Sequence, residues 1–199
     1  MFDTIVDIVE RGGYLGIFLL MLAENVFPPI PSELIMPLAG FVAAEGGLHL
    51  AGVILAGTAG SVAGALPWYF AGMLFGRARI ERLAARHGRW LTVAPAHVGT
   101  ACAWFARHGA AAVFFGRLVP AIRTLISVPA GIVRMPMLPF LAYSTIGSLI
   151  WTSLLALAGY LLQAQYTLVA HYVDPVSKGV LLLVLGVYVY RLLRFKPQA

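Results

Sequence analysis

Two short stretches of this 199-residue chain set charged side chains beside prolines within strongly apolar sequence. The first, AENVFPPIPSELIMPLAG, carries Glu24 and Glu33 on either side of Pro28, Pro29 and Pro31. The second, FFGRLVPAIRTLISVPAG, carries Arg117 and Arg123 around Pro120, with Pro129 further on. Proline has no N–H and cannot continue a helix, so both stretches read as helix breaks that leave backbone carbonyls free. An ionised side chain at mid-membrane costs about 2.5–3.5 kcal/mol on insertion scales, so these four are read as functional. A carboxylate taken out of water binds a proton more readily, which makes Glu24 and Glu33 candidate proton-coupling residues. Guanidiniums in a low-dielectric cleft can neutralise such acids or grip an anionic headgroup bidentately. Arg117 and Arg123 are therefore candidate substrate-binding residues. On an unbroken helix their spacing would send them to different faces, but a break at Pro120 can turn both into one cavity. The two uses combine into a coupling scheme: an arriving phosphate displaces a carboxylate, and the carboxylate takes a proton. Plainer roles stand beside these. Ser32 and Glu33 can cap the helix that resumes after the prolines, and Glu24 can be a structural partner of an arginine.

Other chemistry has weaker support. A lipid phosphatase needs a nucleophile and a base near the arginines. Ser127 and Ser144 have no evident base, and the nearest histidine in sequence, His108, belongs at a membrane edge. The five histidines show no ligand spacing, and Cys102 is a lone cysteine, so no disulfide framework, metal or cofactor is expected. The chain is read as a non-enzyme.

The elements that position these residues follow from composition. Hydrophobic residues make up 60% of the chain, charged ones only 11%, and mean hydropathy is +0.86. A soluble domain carries about 25% charged residues. Apolar runs recur at 14–23, 50–75, 140–162 and 176–193, and the last three approach the roughly 20 residues a spanning helix needs. This predicts an all-α polytopic membrane protein. Residues 1–13 show neither a basic n-region nor a cleavage site and are read as mature sequence. The broken segments must lie buried in protein or line a wet cavity, because lipid-facing loops leave backbone polar groups unsatisfied.

The halves of the chain are weakly alike. GIFLLMLAE at 16–24 parallels GAAAVFFGR at 109–117, each followed by a proline. Pro37 before Ala39 and Gly40 parallels Pro129 before Ala130 and Gly131. Thr58, Gly60, Ser61 and Gly72 recur as Thr145, Gly147, Ser148 and Gly159 at the same spacing. We therefore expect one domain over 1–199, with a first repeat at about 14–76 and a second at about 109–163. Each repeat is a proline-broken re-entrant hairpin plus one spanning helix, and an odd number of crossings per unit makes tandem units inverted. A basic amphipathic segment at 77–107 and a final helix at about 176–194 complete the chain. Arg79, Arg82, Arg86 and Arg89 form a helical stripe that reads as a contact with an anionic leaflet rather than with nucleic acid. The positive-inside rule puts that segment and the basic C-terminus in the cytoplasm and the acidic N-terminus outside. Trp68, Tyr69, Trp90, Trp104, Trp151, Tyr160 and Tyr172 are expected at the membrane interfaces.

Two of these motifs resemble the DedA family, the bacterial branch of the SNARE-associated or VTT-domain superfamily. They are the stretch from Glu24 through PPxPSE to Glu33, and FGRxxPxxRT over 115–124, followed by the Pro-Ala-Gly at 129–131. Many family members have Pro-Gly-Asp or Pro-Gly-Glu where this chain has Pro31, Ser32 and Glu33. The resemblance covers about residues 14–195. It implies a lipid translocase of the bacterial inner membrane with two re-entrant hairpins, linked to undecaprenyl phosphate recycling, phosphatidylethanolamine movement and the proton-motive force. It also implies that Glu24, Glu33, Arg117 and Arg123 are the working residues. The expected partners are membrane lipids (undecaprenyl phosphate or a phospholipid) and protons, with no nucleic acid. A homo-oligomer is compatible with the sequence. The leading expectation is inward transport of undecaprenyl phosphate, ahead of a phosphatidylethanolamine flippase or scramblase and of a lipid phosphatase.

Overall fold

The computed structural model of the chain describes residues 2–26, 32–91, 95–120 and 122–162. Pro28, Pro29, Pro31 and the expected helix at 176–194 lie outside the described residues. In chain order the described helices are α1 (Phe2–Val26), α2 (Ser32–Ala44), α3 (Leu50–Leu91), α4 (Pro95–Arg117), α5 (Ser127–Ile132) and α6 (Met137–Leu161). The described residues contain no strand.

Three of these helices bend at a glycine. α1 bends at Gly13 (φ 52°, ψ −137°), α3 at Gly76 (φ 63°, ψ 168°) and α4 at Gly109 (φ 44°, ψ −113°). A side chain at Gly13 or Gly109 would be held at positive φ, where only glycine sits without strain. The bend at Gly76 falls just before Arg77 and separates the apolar part of α3 from its arginine-bearing end. Leu50–Arg79 and Met137–Leu161 are long and apolar enough to cross a membrane.

Helix packing is organised around α3 and α6, which contact each other; α1 and α5 lie on α3, and α2 and α4 lie on α6. Glycines make the closest approaches. At Gly40 a Cβ would collide with the backbone of Ala156, and at Gly159 with the carbonyl of Pro37. The same arrangement joins α5 to α3, where Gly131 lies on the carbonyl of Tyr69 and Gly72 on that of Val128. Gly60 admits Phe18 and Met21 of α1, and Gly147 admits Phe114 and Arg117 of α4. Small residues of this kind let helix backbones meet where lipid supplies no hydrophobic drive.

Two larger apolar cores result among the described residues, beside a small cluster at Cys102. One includes Ile17, Met21, Ile35, Met36, Val53 and Ala156, and the other Ala65, Tyr69, Val113, Ile126, Ala130 and Phe140. Along both α3 and α6, a buried polar layer of Thr58, Ser61, Ser144, Ser148 and Thr152 falls between the two core contributions. The outer surface is the reverse. Leu15, Leu74, Phe115, Leu138 and Leu161 are all more than half exposed, whereas Arg117 keeps 2% of its surface. A soluble protein almost never buries such charge while exposing so much leucine, so this distribution suits lipid outside and a polar interior.

The packing places two residues otherwise than the sequence suggests. Pro129 does not break a helix: it is the third residue of α5, in the first turn, where an N–H has no intrahelical acceptor and proline is tolerated. Tyr69 is no interfacial aromatic. It is buried, stacks on Phe140 at 4.5 Å and donates from Oη to the Met135 carbonyl at 2.5 Å. Trp68 is half-buried and occupied with α1, as described next.

Candidate functional site

The first break begins at the end of α1. In an α-helix the carbonyls of Glu24 and Asn25 would accept from the N–H groups four residues on, but those residues are Pro28 and Pro29. Trp68 of α3 supplies a substitute, its Nε1–H donating to the Asn25 carbonyl at 2.8 Å. Beside it, Gly64 of α3 leaves room for Asn25 Cβ and the Leu22 backbone. This clamp fixes the last turn of α1, and Glu24 is buried within it at 5% exposure.

The second break begins at Arg117, the last residue of α4. Turns follow, with Arg123 N–H donating to Val119 O at 3.0 Å and Ile126 N–H to Ile122 O at 2.9 Å, before α5 starts at Ser127. Pro120 lies in these turns. The Arg117 side chain folds back over them. Its Nη1 donates to the Arg123 carbonyl at 3.0 Å, and its Nη2 to Ser127 Oγ at 3.0 Å and Ser144 Oγ at 3.4 Å. Arg117 Nε is buried without a hydrogen-bond partner.

The two breaks meet through an ion pair between Arg123 Nη2 and Glu24 Oε1. Arg117 and Glu33 lie within electrostatic reach of the same carboxylate. Of the four charged residues singled out in the sequence, Glu24, Arg117 and Arg123 are therefore brought together and buried. Glu33 is not: it sits exposed in the first turn of α2, where a negative charge suits the helix N-terminus. Ser32 Oγ is buried and makes no hydrogen bond among the described residues, so no side-chain cap of α2 by Ser32 is seen there.

Sequence reasoning missed the partners that hold these charges. Asn25 is fully buried, and its Nδ2 donates to Glu24 Oε2 at 2.9 Å, Met21 O at 3.1 Å and Ser61 Oγ at 3.2 Å. Ser61 in turn shares a hydrogen bond with Ser148 Oγ at 3.3 Å, and Thr58 with Thr152 at 2.9 Å. A polar side chain directly after Glu24 was the available signal for Asn25; nothing local marks Trp68. Ser127 and Ser144 direct their oxygens at Arg117, while His108 is exposed, bonds through Nδ1 to the Trp104 carbonyl at 2.9 Å and stacks on its ring. No cluster of potential metal ligands occurs among the described residues.

Residues 30–161 match the VTT domain family. The chain belongs to this family. The matched stretch contains both arginines, and Glu24 lies just ahead of it. Among relatives, the chain is 39% identical to the alkaline phosphatase-like protein of Lactococcus lactis subsp. cremoris (strain MG1363), over 100% of this chain and 95% of that protein. It is 32% identical to undecaprenyl phosphate transporter A of Staphylococcus aureus (strain NCTC 8325 / PS 47), over 98% and 96%. It is 36% identical to the uncharacterized membrane protein YkoX of Bacillus subtilis (strain 168), over 93% and 80%. No solved structure matches the chain.

Proposed function

We propose that this VTT-family protein is a multi-pass protein of the bacterial inner membrane that moves undecaprenyl phosphate across the bilayer, with proton coupling through Glu24 and Glu33. One observation carries the reading. Two buried guanidiniums, Arg117 and Arg123, stand against one buried carboxylate, Glu24, which leaves one positive charge over. Among the described residues, the hydrogen bonds of Arg117 go to hydroxyls and a carbonyl, partners that orient a guanidinium without neutralising it. A phosphate monoester brings roughly −1.5 to −2 charges and can be gripped bidentately by arginine. A zwitterionic phosphatidylethanolamine headgroup balances the site less well. In this reading the phosphate displaces Glu24 from Arg123, and the freed carboxylate takes a proton.

The name of the Staphylococcus aureus relative supports the same substrate. The name of the Lactococcus lactis relative favours a second reading, a lipid phosphatase. Against it, the hydroxyls of Ser127 and Ser144 serve as acceptors for Arg117, and His108 is engaged with Trp104.

The inverted-repeat architecture belongs to this proposal, as do the domain limits at about 14–76 and 109–163 and a surface-lying basic segment at 77–107. It is supported by the matched contacts of Gly40 with α6 and Gly131 with α3, and of Gly159 with α2 and Gly72 with α5. The bends at Gly13 and Gly109 have nearly the same dihedral angles. Gly60 meets Phe18 and Met21 as Gly147 meets Phe114 and Arg117. These pairings support a register of the first helices one turn away from the sequence alignment, with Gly13 rather than Gly16 opposite Gly109. Ser61 and Ser148, equivalent in the two halves, touch each other, as residues on a local twofold axis must.

The deciding experiment reconstitutes the protein in phosphatidylglycerol and phosphatidylethanolamine vesicles and follows labelled undecaprenyl phosphate, with and without a pH gradient. The wild type is expected to move the lipid, faster with the gradient, and Arg117→Ala and Arg123→Ala to lose the movement at equal protein levels. Normal movement in both variants overturns the proposal. Release of inorganic phosphate assigns the phosphatase instead. For topology, a cysteine at position 2 in a Cys102→Ser background should label from the outside, and labelling only from the cytoplasm rejects the inverted hairpins.

A further inference from the structure

Glu24 is a carboxylate with two oxygens and two different partners. Oε1 pairs with Arg123, which the proposed function treats as a binding group for the lipid phosphate. Oε2 accepts from Asn25, the next residue in the chain. Adjacent side chains on a regular helix do not face each other. They meet here in the last turn of α1, just ahead of the prolines. Asn25 itself is held independently of Glu24. Its carbonyl takes the Trp68 indole N–H, its Cβ rests on Gly64, and its Nδ2 reaches Ser61 Oγ, all on one face of α3.

We propose that Asn25 is the positioning residue for Glu24, fixing its carboxylate to α3 through Oε2 so that Oε1 is presented to Arg123 and can be exchanged there for an incoming anion. The donor count supports the exchange. Nδ2 has two hydrogens and three acceptors: the Glu24 carboxylate, the Met21 carbonyl and Ser61 Oγ. The bond to the carboxylate is charge-assisted and the shortest of the three. When Glu24 moves off, the other two acceptors still satisfy both hydrogens, so Asn25 keeps its place and marks the position to which Glu24 returns. Through Ser61 and Ser148 the same amide is joined to the contact between α3 and α6. This inference rests on the phosphate-lipid reading for its transport consequence, but not for the Asn25–Glu24 coupling itself.

The test has one arm for each part. The melting temperatures of purified wild type, Asn25→Leu, Glu24→Gln and the double variant form a double-mutant cycle. Asn25→Leu should lower the melting temperature by roughly half as much, or less, in the Glu24→Gln background as in the wild type, because the strongest bond of the amide is already weakened there. Equal losses in both backgrounds mean that Asn25 serves only packing, and overturn the proposal. If Asn25→Leu does not purify, Asn25→Ser, too short to reach the carboxylate, carries the same cycle. In vesicles with labelled undecaprenyl phosphate, Asn25→Leu should reduce the maximal rate by about tenfold and change the half-saturating lipid concentration by less than about twofold, since both arginines remain. An unchanged maximal rate overturns the proposal. A wild type that moves no lipid removes the phosphate-lipid reading, while the melting cycle still decides the Asn25–Glu24 coupling.

Discussion

At the first break the charged group is held by dedicated neighbours: Glu24 has Asn25 on one oxygen and Arg123 on the other, and Trp68 closes the carbonyl that Pro29 cannot serve. At the second break Arg117 is held by the break itself, through the Arg123 carbonyl, Ser127 at the start of α5, and Ser144 of α6. The first arrangement pairs its charge directly; the second orients a charge through neutral hydrogen-bond partners among the described residues. In the proposed transport cycle, Glu24 and Arg123 hold each other between turnovers, and Arg117 is the group offered to the anion.

The largest test of that contrast compares the two arginines. Arg123→Met should cost about 3–5 kcal/mol of stability, because it strands the buried Glu24 carboxylate. Arg117→Met strands only neutral acceptors and should cost about 1–3 kcal/mol, while still abolishing lipid movement. Thermal or denaturant unfolding in detergent reads both values, and the opposite order would break the comparison. A second test asks whether the halves pack alike. Gly72→Ala and Gly159→Ala should each cost about 1–3 kcal/mol, since either Cβ meets a carbonyl of the facing helix. A neutral result at one of them would remove the match between α3–α5 and α6–α2.

Smaller effects sharpen the picture further. Trp68→Phe keeps an aromatic ring and removes the donor to Asn25 O, for an expected loss of about 1 kcal/mol. The same change should lower transport more than Trp104→Phe does, since Trp104 is exposed and stacks on His108. The smallest effect is expected for Ser148→Ala, about 0.6 kcal/mol, the typical worth of a hydrogen bond between membrane helices. A much larger loss would mean that the Ser61–Ser148 contact holds the two halves together rather than marking their meeting point.

Several elements are legible in the residues alone. The apolar runs at 50–75 and 140–162 correspond to α3 and α6, with α3 extending past its bend into the arginine-bearing segment. Pro120 announces the turns after α4, because a missing N–H is a property of the residue itself, while Pro28 and Pro29 lie outside the described residues. Pro129 misleads for a related reason: proline ends a helix only when it falls beyond the first turn, and nothing in the sequence marks the start of α5. In the proposed repeat the first helices align one turn away from the sequence match, because leucine, alanine and phenylalanine repeat without punctuation there. The bends at Gly13 and Gly109, which support that proposed register, are visible only as backbone angles.

The sequence by itself determined that the chain needs an apolar solvent, that it is helical, and that acids sit at one proline break and arginines at another. These follow from side-chain transfer energies and from proline chemistry, which act locally. Only the tertiary structure decided which charges share a site. It paired Glu24 with Arg123, left Glu33 exposed, buried Tyr69 and turned Trp68 and Asn25 into supports for the first break. Those choices depend on where glycines allow α3 and α6 to receive the shorter helices, and a contact between distant residues is set by that packing rather than by either residue's neighbours in the chain.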